Sequence, residues 1–577
     1  MNDKRESLPD NGVMLNAYPD SMGGSLRDIV SILGRPELKD AFRSFYILPS
    51  MYNSDLDRGF SVIDYELNEL YATYEDIEAI RALGIDLKLD FVCNHLSVLS
   101  KQFQDILKNG KYSKYRDFFI DWNRFWSGNG AMTEQGYIQP DGHLTRDMFF
   151  RKPGLPLLMV RFPDGTDVPY WNTFYNETQY IKIDAQDLVT GAGIQYATAA
   201  RIADIVNSSL AEGKKPQEIP FGPLKKYAAQ TTAYLESGRK YLGQMDLNIS
   251  SPQVWQYYKD TITKLADYGA SIIRLDAFAY TSKKVGAKNF FNSPETQDLL
   301  AGLKGLADER GVELLPEIHS SYAEKTHEML SQEGYIVYDF FLPGLLIDAL
   351  ERKDATRLAA WASELRDKKI RTVNMLGCHD GIPMLDLDGL IPKDEIEALI
   401  RTIVARGGHI KNLHGNKNMY YQVNATYYSA LGEDDKKMLL SRAVQLFMPG
   451  KPQVWYLDLF LGKNNIEAVR RGGEHAHREI NRTNLSPEAV EAGLKHPAVQ
   501  NQLEMLRFRN TSPAFGYDSE LEIETPSPHE LTLSWHQSGH RATLYADLSA
   551  QTFKIVSAPI AGSENPTNEF RNCAFFD

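Results

Sequence analysis

The sequence predicts an α/β fold whose core is a closed barrel of eight parallel strands, the (β/α)8 or TIM barrel. Short apolar runs alternate with amphipathic segments over most of the 577 residues, which is typical of parallel strands joined by helices. Eight such runs are present, and several end in charged side chains, as barrel strands do at the face that carries the longer loops. With 43% hydrophobic residues, the chain can bury a large core and one or two accessory domains.

The eight candidate strands follow one another at uneven intervals. Their bounds are 13–16, 45–48, 86–91, 271–275, 312–315, 335–339, 372–376 and 453–457. Helical periodicity follows several of them, at 74–83, 294–310, 354–368 and 435–446. These pairs of strand and helix are the units from which the barrel is expected to be built.

The intervals divide the chain into a barrel and three additions. Residues 1–95, 246–380 and 431–510 form the barrel. The interval between strands three and four is too long for one helix, so 96–245 is an inserted subdomain with an extra helical segment. A loop-rich insertion at 381–430 follows strand seven, because it carries the Gly- and His-containing stretches 407–409 and 413–416, which have a loop-like composition. Alternating apolar residues from 511 to 577 predict a small antiparallel β-domain.

The composition limits the possible partners and the location. The net charge of −13 disfavours nucleic acid and anionic membrane surfaces, since both are negatively charged. No run of about 18 apolar residues is present, so we expect no membrane span. The first residues are polar and lack a secretory signal, and three cysteines do not form a disulfide framework. We therefore expect a cytoplasmic protein that acts on small molecules.

Three carboxylates stand at or just beyond the ends of strands four, five and seven, namely Asp276, Glu317 and Asp380. The carboxyl ends of barrel strands open on one face, so these side chains should converge. Cleavage of a glycosidic bond needs one carboxylate that attacks or stabilises the sugar cation and one carboxylic acid that protonates the leaving oxygen. Asp276 suits the first role, because Arg274 favours its ionised form. Glu317 suits the second, because its apolar sequence neighbours favour the protonated form.

Four segments carry a family resemblance: Asp-Phe-Val-Cys-Asn-His at 90–95, Arg-Leu-Asp-Ala at 274–277, Pro-Glu-Ile-His at 316–319 and Cys-His-Asp-Gly-Ile at 378–382. They resemble the four signature regions of glycoside hydrolase family 13, the α-amylase family. Further matches at 17–21, 57–60, 101–105, 151–156, 422–431 and 479–482 narrow the resemblance to its sucrose phosphorylase branch.

The resemblance implies a retaining double displacement. In it Asp276 is the nucleophile, Glu317 is the acid/base and Asp380 stabilises the transition state. The glucosyl group of the donor would be held by Asp57, Phe60, His95, Phe174, Arg274, His379 and Arg482. The acceptor would be inorganic phosphate and the product α-glucose 1-phosphate. No cofactor and no metal are expected, although Asn94 lies where many α-amylases bind calcium. A homodimer is usual in the branch, and the sequence does not fix the oligomeric state.

The residues expected on the acceptor side resemble two different kinds of enzyme within the branch. Phosphate must enter beside carboxylates, which requires cations, and Arg151, Lys152, Lys411, His414 and Lys417 are the candidates. Arg151 and the segment 386–390 resemble the enzymes that act on sucrose 6-phosphate. Tyr421, directly before Gln422, instead resembles those that act on sucrose, and the resemblance implies that Tyr421 and Gln422 both bind substrate. The leaving group therefore stays open among fructose, fructose 6-phosphate, glycerol and glycerate.

Two other classes of function compete with a phosphorylase. A retaining α-glucosidase or transglucosidase would use the same residues with water or a hydroxyl as acceptor. A non-catalytic binding protein on the same barrel is disfavoured, because Asp276, Glu317 and Asp380 are all present. The release of glucose 1-phosphate only when phosphate is supplied distinguishes a phosphorylase from both.

Overall fold

The eight predicted strands form one parallel sheet. The structure is a computed structural model that describes residues 11–151, 154–412, 420–559 and 568–571. The strands are β1 (Met14–Ala17), β2 (Ser44–Ile47), β3 (Asp86–Val92), β4 (Ala270–Asp276), β5 (Glu313–Pro316), β6 (Val337–Asp339), β7 (Thr372–Met375) and β8 (Lys451–Trp455). Each overlaps the run predicted for it.

The strand order makes this sheet a nearly closed barrel. The neighbours run β5–β4–β3–β2–β1–β8–β7–β6, and β1 pairs with both β2 and β8. Over the described residues no ladder joins β5 to β6, where the circle stays open. The register places Arg274 of β4 opposite Asp90 of β3 and Leu315 of β5. The predicted (β/α)8 barrel is thereby confirmed.

Helices follow the strands along the chain. In this unit they are Leu26–Leu33, Tyr74–Ala82, Pro252–Asp267, Glu295–Asp308, Thr326–Gln332, Leu342–Arg352, Thr356–Asp367, Lys393–Ala405, Tyr427–Ala430, Asp435–Phe447, Tyr456–Leu459, Ile466–Gly472, Pro487–Leu494 and Pro497–Thr511. Their ends follow from local chemistry. The helix Tyr74–Ala82, for example, begins after Thr73, whose hydroxyl accepts the backbone N–H of Asp76 while the Asp76 carboxylate accepts the Thr73 N–H.

The described chain divides into two compact units. The first contains the barrel and the C-terminal sheet and comprises residues 11–94, 142–151, 249–412, 420–559 and 568–571. The second comprises residues 95–141 and 154–248. Residues 142–151, which the sequence assigned to the inserted subdomain, belong to the first unit. None of the helices in the described part of the chain is both long enough and apolar enough to cross a bilayer.

The second unit combines short strands with a helical segment that has its own core. Its strands are His95–Ser97, Gly130–Met132, Ile138–Pro140, Leu157–Arg161, Asp167–Trp171, Asn176–Gln179 and Lys240–Asp246, and its helices are Lys101–Asn109, Trp122–Phe125, Ala185–Ala192, Tyr196–Ala211 and Ala228–Ser237. Apolar side chains of the helical segment, including Leu188, Ile202 and Val206, are fully buried. The segment is therefore a packed element rather than a surface loop.

The insertion after β7 is more regular than its composition predicts. It contains the helix Lys393–Ala405 and an antiparallel sheet of Ile382–Pro383, Tyr420–Asn424 and His409–Asn412. The helix buries one face, with Ile396, Leu399, Ile400 and Ile403 spaced at helical intervals. The expectation of a mainly loop-like insertion gave weight to its Gly and His residues and overlooked this periodicity.

The C-terminal segment is a five-stranded antiparallel sheet, where three strands were recognised in the sequence. Its strands are Glu520–Glu524, Glu530–Gln537, His540–Asp547, Thr552–Pro559 and Asn568–Arg571, paired in chain order. The indole of Trp535 donates to the carbonyl of Phe447 at 2.8 Å and thereby anchors the sheet to the helix that precedes β8.

Candidate active site

One buried arginine connects three carboxylates at the end of β4. Arg274 is 2% exposed, and its Nη1 lies 2.5 Å from Asp90 Oδ1 and 3.0 Å from Asp276 Oδ1. Its Nη2 lies 2.6 Å from Glu317 Oε1. The terminal nitrogens of a guanidinium are about 2.3 Å apart, so the bound oxygens of Asp276 and Glu317 lie within about 8 Å of each other. The structure thus brings the two carboxylates that the sequence singled out to one point.

The backbone explains why these groups meet. Arg274 and Asp276 are two residues apart on β4, so their side chains emerge on the same face of the strand. Asp90 lies directly opposite Arg274 on β3, and Glu317 follows directly after β5. The hydroxyl of Tyr46 on β2 donates to both oxygens of Asp90, at 3.0 and 2.8 Å. Four neighbouring strands therefore hold one charged network.

Asp380 lies in a second cluster, which follows β7. His379 Nε2 is 3.6 Å from Asp380 Oδ2, and Arg482 Nη2 is 3.6 Å from Asp380 Oδ1. Arg482 Nη1 lies 3.7 Å from Asp57 Oδ1, and its Nε donates to the backbone carbonyl of His379 at 2.9 Å. The side-chain amide of Gln422 donates to the backbone carbonyl of Asp380. Hydrogen bonds and ion pairs thus fix both the side chain and the backbone at this position.

Phe60 joins the two clusters. Its ring stacks on the imidazole of His379 with centroids 5.2 Å apart, and the guanidinium carbon of Arg274 lies 5.5 Å from the same ring. Glu317 and Asp380 also line one cavity, together with Arg274 and His379. The predicted catalytic carboxylates and most of the predicted donor residues of the first unit therefore form one site.

Burial dominates the protonation behaviour of this site. It raises the pKa of Asp276 well above the usual range, the carboxylates of Glu317 and Asp380 add to the rise, and Arg274 opposes it. The expectation that Arg274 keeps Asp276 ionised is therefore only one part of the balance. Burial also lowers the pKa of His379 well below its ordinary value, so this imidazole is neutral at pH 7. The sequence predicts an apolar setting for Glu317, but its carboxylate lies beside the guanidinium of Arg274.

Two contacts in the site were missed by sequence reasoning. Arg478 Nη1 lies 3.1 and 3.2 Å from the two oxygens of Asp57, and its Nε lies 3.4 Å from Asp380 Oδ1. It precedes Arg482 by four residues, a helical spacing that could have revealed it. His319 lies 3.2 Å from Asp386 through Nδ1, a contact between distant segments that no local pattern indicates.

Two further cations, Arg151 and Lys283, contact the segment that follows β4. Arg151 Nη1 donates to the hydroxyl of Tyr280 at 2.8 Å, four residues after Asp276. Lys283 Nζ donates to Asn94 Oδ1 at 3.2 Å and to the carbonyl of Tyr280 at 2.6 Å. The asparagine considered as a calcium ligand therefore already contacts an ammonium group. Within the described ranges, no group of three or more His, Cys, Asp or Glu residues is arranged to hold a metal ion.

The remaining predicted residues lie elsewhere. His95 and Phe174 belong to the second unit, where their rings pack 4.9 Å apart. The backbone of Tyr421 lies in the strand Tyr420–Asn424, and its side chain lies outside the described part of the chain, as does that of Lys411. Lys152, His414 and Lys417 also lie outside the described residues. The roles assigned to all of these residues stay predictions.

Comparisons with known proteins identify the family of this chain. A family model described as the catalytic domain of alpha amylase matches residues 37–139. A sucrose 6(F)-phosphate phosphorylase from Ilumatobacter coccineus is 50% identical over 561 residues, which cover 96% of this chain and 96% of the relative. A second one, from Thermoanaerobacterium thermosaccharolyticum, is 32% identical and covers 94% of this chain and 96% of its own length.

A solved structure extends the likeness to three dimensions. The crystal structure of sucrose 6F-phosphate phosphorylase from Thermoanaerobacter thermosaccharolyticum matches with a TM-score of 0.78 at 30% identity, over 97% of each chain. The match covers nearly the whole of both chains, so it extends beyond the barrel to the segments added to it. This chain belongs to the α-amylase family, glycoside hydrolase family 13, and within that family to the sucrose phosphorylase branch.

Proposed function

We propose that this protein is a retaining glycoside phosphorylase that transfers a glucosyl unit from sucrose 6F-phosphate, or from sucrose, to inorganic phosphate. The observation that carries the proposal is the bridge made by Arg274 between Asp276 and Glu317, with Asp380 in the same cavity as Glu317. The bound of about 8 Å on their separation admits the roughly 5–5.5 Å of retaining enzymes, and we take the double displacement through a covalent intermediate from the family pattern.

The first step uses Asp276 and Glu317. Asp276 attacks the anomeric carbon while Glu317 gives its proton to the leaving oxygen, which yields a glucosyl ester of Asp276 and a free sugar. Asp380 stabilises the positive charge that develops on the glucosyl ring in the transition state. In the second step a phosphate hydroxyl loses its proton to Glu317 and attacks the same carbon, so that α-glucose 1-phosphate forms with retained configuration.

The donor glucosyl group is held by the cluster around Asp380. Asp57, Arg482 and His379 offer acceptors and donors for sugar hydroxyls. Arg482 contacts both Asp57 and Asp380, and His379 contacts Asp380. Phe60 offers an apolar face beside His379. On the family pattern alone we also propose that His95 and Phe174 bind substrate. Gln422 supports the backbone of Asp380 through its side-chain amide.

We further propose that the leaving group is fructose 6-phosphate. The relative that is 50% identical is named as a sucrose 6(F)-phosphate phosphorylase, and Arg151 supplies a guanidinium beside Tyr280, close in sequence to Asp276. A planar guanidinium binds phosphate oxygens in pairs, which suits a phosphorylated sugar or the phosphate acceptor. Tyr421 stands where the resemblance leads us to expect a His that binds the phosphate of fructose 6-phosphate. A tyrosine there would lower selectivity for the phosphorylated donor.

A direct assay tests both levels of the proposal. The protein is incubated with sucrose 6F-phosphate or with sucrose, each with and without phosphate, and glucose 1-phosphate and glucose are quantified. We expect glucose 1-phosphate only when phosphate is present, with a higher kcat/KM for the phosphorylated donor. Free glucose alone would identify an α-glucosidase, and a higher kcat/KM for sucrose would reassign the leaving group to fructose.

Two properties of the whole molecule belong to the same proposal. Cys93 and Cys378 are buried thiols without a disulfide, which supports a reducing compartment such as the cytoplasm. A homodimer is proposed on the family pattern alone, and light scattering after size-exclusion chromatography tests it. We also propose that nucleic acid is not a partner, and this proposal rests on the net charge of −13 alone.

A further inference from the structure

His319 lies between two carboxylates on the acid/base side of the cavity. Its Nδ1 is 3.2 Å from Asp386 Oδ2, and its Nε2 is 3.9 Å from Glu317 Oε1. Asp386 is 1% exposed and comes from the short helical turn Leu385–Leu387 in the insertion after β7. The three side chains therefore form a row that leads from the interior to Glu317.

The orientation of this imidazole is fixed on two sides. Asp386 accepts a hydrogen bond from Nδ1–H, which leaves Nε2 directed toward Glu317. The ring of Phe340 stacks on His319 with centroids 4.0 Å apart and an interplanar angle of 21°. Such a supported imidazole cannot turn its nitrogens away from either carboxylate without losing both contacts.

The surroundings of His319 favour its charged form. Asp386 from the insertion, Glu317 after β5 and Asp380 after β7 face it and are all acidic, and together they raise its pKa against the opposing effect of burial. Phe340, after β6, contributes an uncharged aromatic face. A cation beside Glu317 is thus held in place by a buried acid that does not line the cavity with Glu317 and Asp380.

We propose that Asp386 is a positioning residue that keeps His319 charged beside Glu317, and that this pair makes the site choose phosphate over water as acceptor. The inference deepens the proposed function and rests on it. Phosphate brings up to two negative charges into a cavity that is lined by Glu317 and Asp380, beside an arginine that also binds Asp276. Water brings none, so the imidazolium lowers the barrier for phosphate much more than for water.

The second step breaks and forms the same bonds with phosphate as with water. With either acceptor, the C1–O bond to Asp276 breaks, a new C1–O bond forms, Asp276 leaves as a carboxylate, and the proton of the attacking hydroxyl passes to Glu317. The two reactions differ only in the charge that enters with the acceptor. A change at Asp386 should therefore alter how the glucosyl-enzyme is partitioned, while its formation from an activated donor is largely preserved.

The experiment measures that partition. Wild type and Asp386→Asn are supplied with α-glucosyl fluoride, which needs no proton on its leaving group, and with a fixed concentration of phosphate from pH 5.5 to 8.5. The ratio of glucose 1-phosphate to glucose is recorded together with fluoride release. Loss of an opposite charge shifts a pKa by roughly one unit or more, so the ratio of glucose 1-phosphate to glucose should be lower at pH 7, and its decline with rising pH should begin roughly one pH unit lower than in wild type.

Two further variants separate the possible results. His319→Gln should reproduce the lower ratio and serves as the second variant if Asp386→Asn does not fold. Asp339→Asn removes another buried carboxylate, which accepts from Trp361 and two backbone amides, and should leave the ratio unchanged. An unchanged ratio in Asp386→Asn and His319→Gln, or an equal loss of both products, overturns the inference. Wild type that forms only glucose overturns the proposed function, and the inference falls with it.

Discussion

Replacement of Arg478 by Gln tests whether the unexpected arginine contributes to the donor subsite. The substitution keeps a polar side chain of similar length and removes the charge that contacts Asp57 at 3.1 and 3.2 Å and Asp380 at 3.4 Å. Hydrogen bonds to charged groups contribute about 1.5–3 kcal/mol. Arg478 is 20% exposed, so solvent screening favours the lower end of this range. About 1.5 kcal/mol corresponds to roughly a tenfold loss in kcat/KM.

The assay is steady-state release of fluoride from α-glucosyl fluoride at saturating phosphate. Arg471→Gln is the matched control, because Arg471 lies in the same stretch of chain and pairs with Glu467 at 3.9 Å, with both side chains more than three-quarters exposed. Arg471→Gln should match wild type. If Arg478→Gln gave the same kcat/KM as this control, the contacts of Arg478 would be surface ion pairs with no part in donor binding.

Three further outcomes are expected, each from a contact described above. Glu317→Gln should abolish turnover of the natural donor and spare the first turnover of α-glucosyl fluoride in rapid-quench measurements; equal losses on both donors would remove Glu317 from the acid/base role. Because a protonated Asp276 cannot attack and its pKa is raised, kcat/KM should fall as the pH drops through a value above the usual carboxylate range, and Glu317→Gln should move that fall to lower pH, which a pH–rate profile with the fluoride donor checks. Arg151→Ala should raise KM for phosphate and leave hydrolysis of the fluoride donor intact, whereas an unchanged KM would place Arg151 outside the acceptor site.

The barrel could be predicted because its signals are local. Apolar runs bounded by charged residues gave all eight strands, and helical periodicity gave helices such as Tyr74–Ala82 and Asp435–Phe447 within a few residues. The helix Lys393–Ala405 was missed because neighbouring Gly and His residues outweighed its apolar stripe. Strand order followed from the barrel itself, in which consecutive parallel strands are neighbours.

The candidate site could be predicted only as a set of residues. Strand ends indicated Asp276, Glu317 and Asp380, and the rule that barrel strands open on one face indicated that they should meet. The binding of Glu317 by Arg274 and of His319 by Asp386 depends on side-chain direction and on contacts between distant segments. Spacing along the chain carries no information about such contacts, so the charge balance of the site required the structure.

The shared guanidinium of Arg274 has a practical consequence for trapping bound sugars. Amide variants of catalytic acids are the usual means of halting a glycosidase with its substrate in place. Here Asp90, Asp276 and Glu317 all receive hydrogen bonds from the same rigid fork of donors. An amide oxygen at any one of these positions can still accept a hydrogen bond but carries no negative charge, so the guanidinium would be drawn toward the two remaining carboxylates and a stalled complex would display a rearranged centre. Inactive analogues of the sugar, soaked into unaltered protein, would preserve the native arrangement.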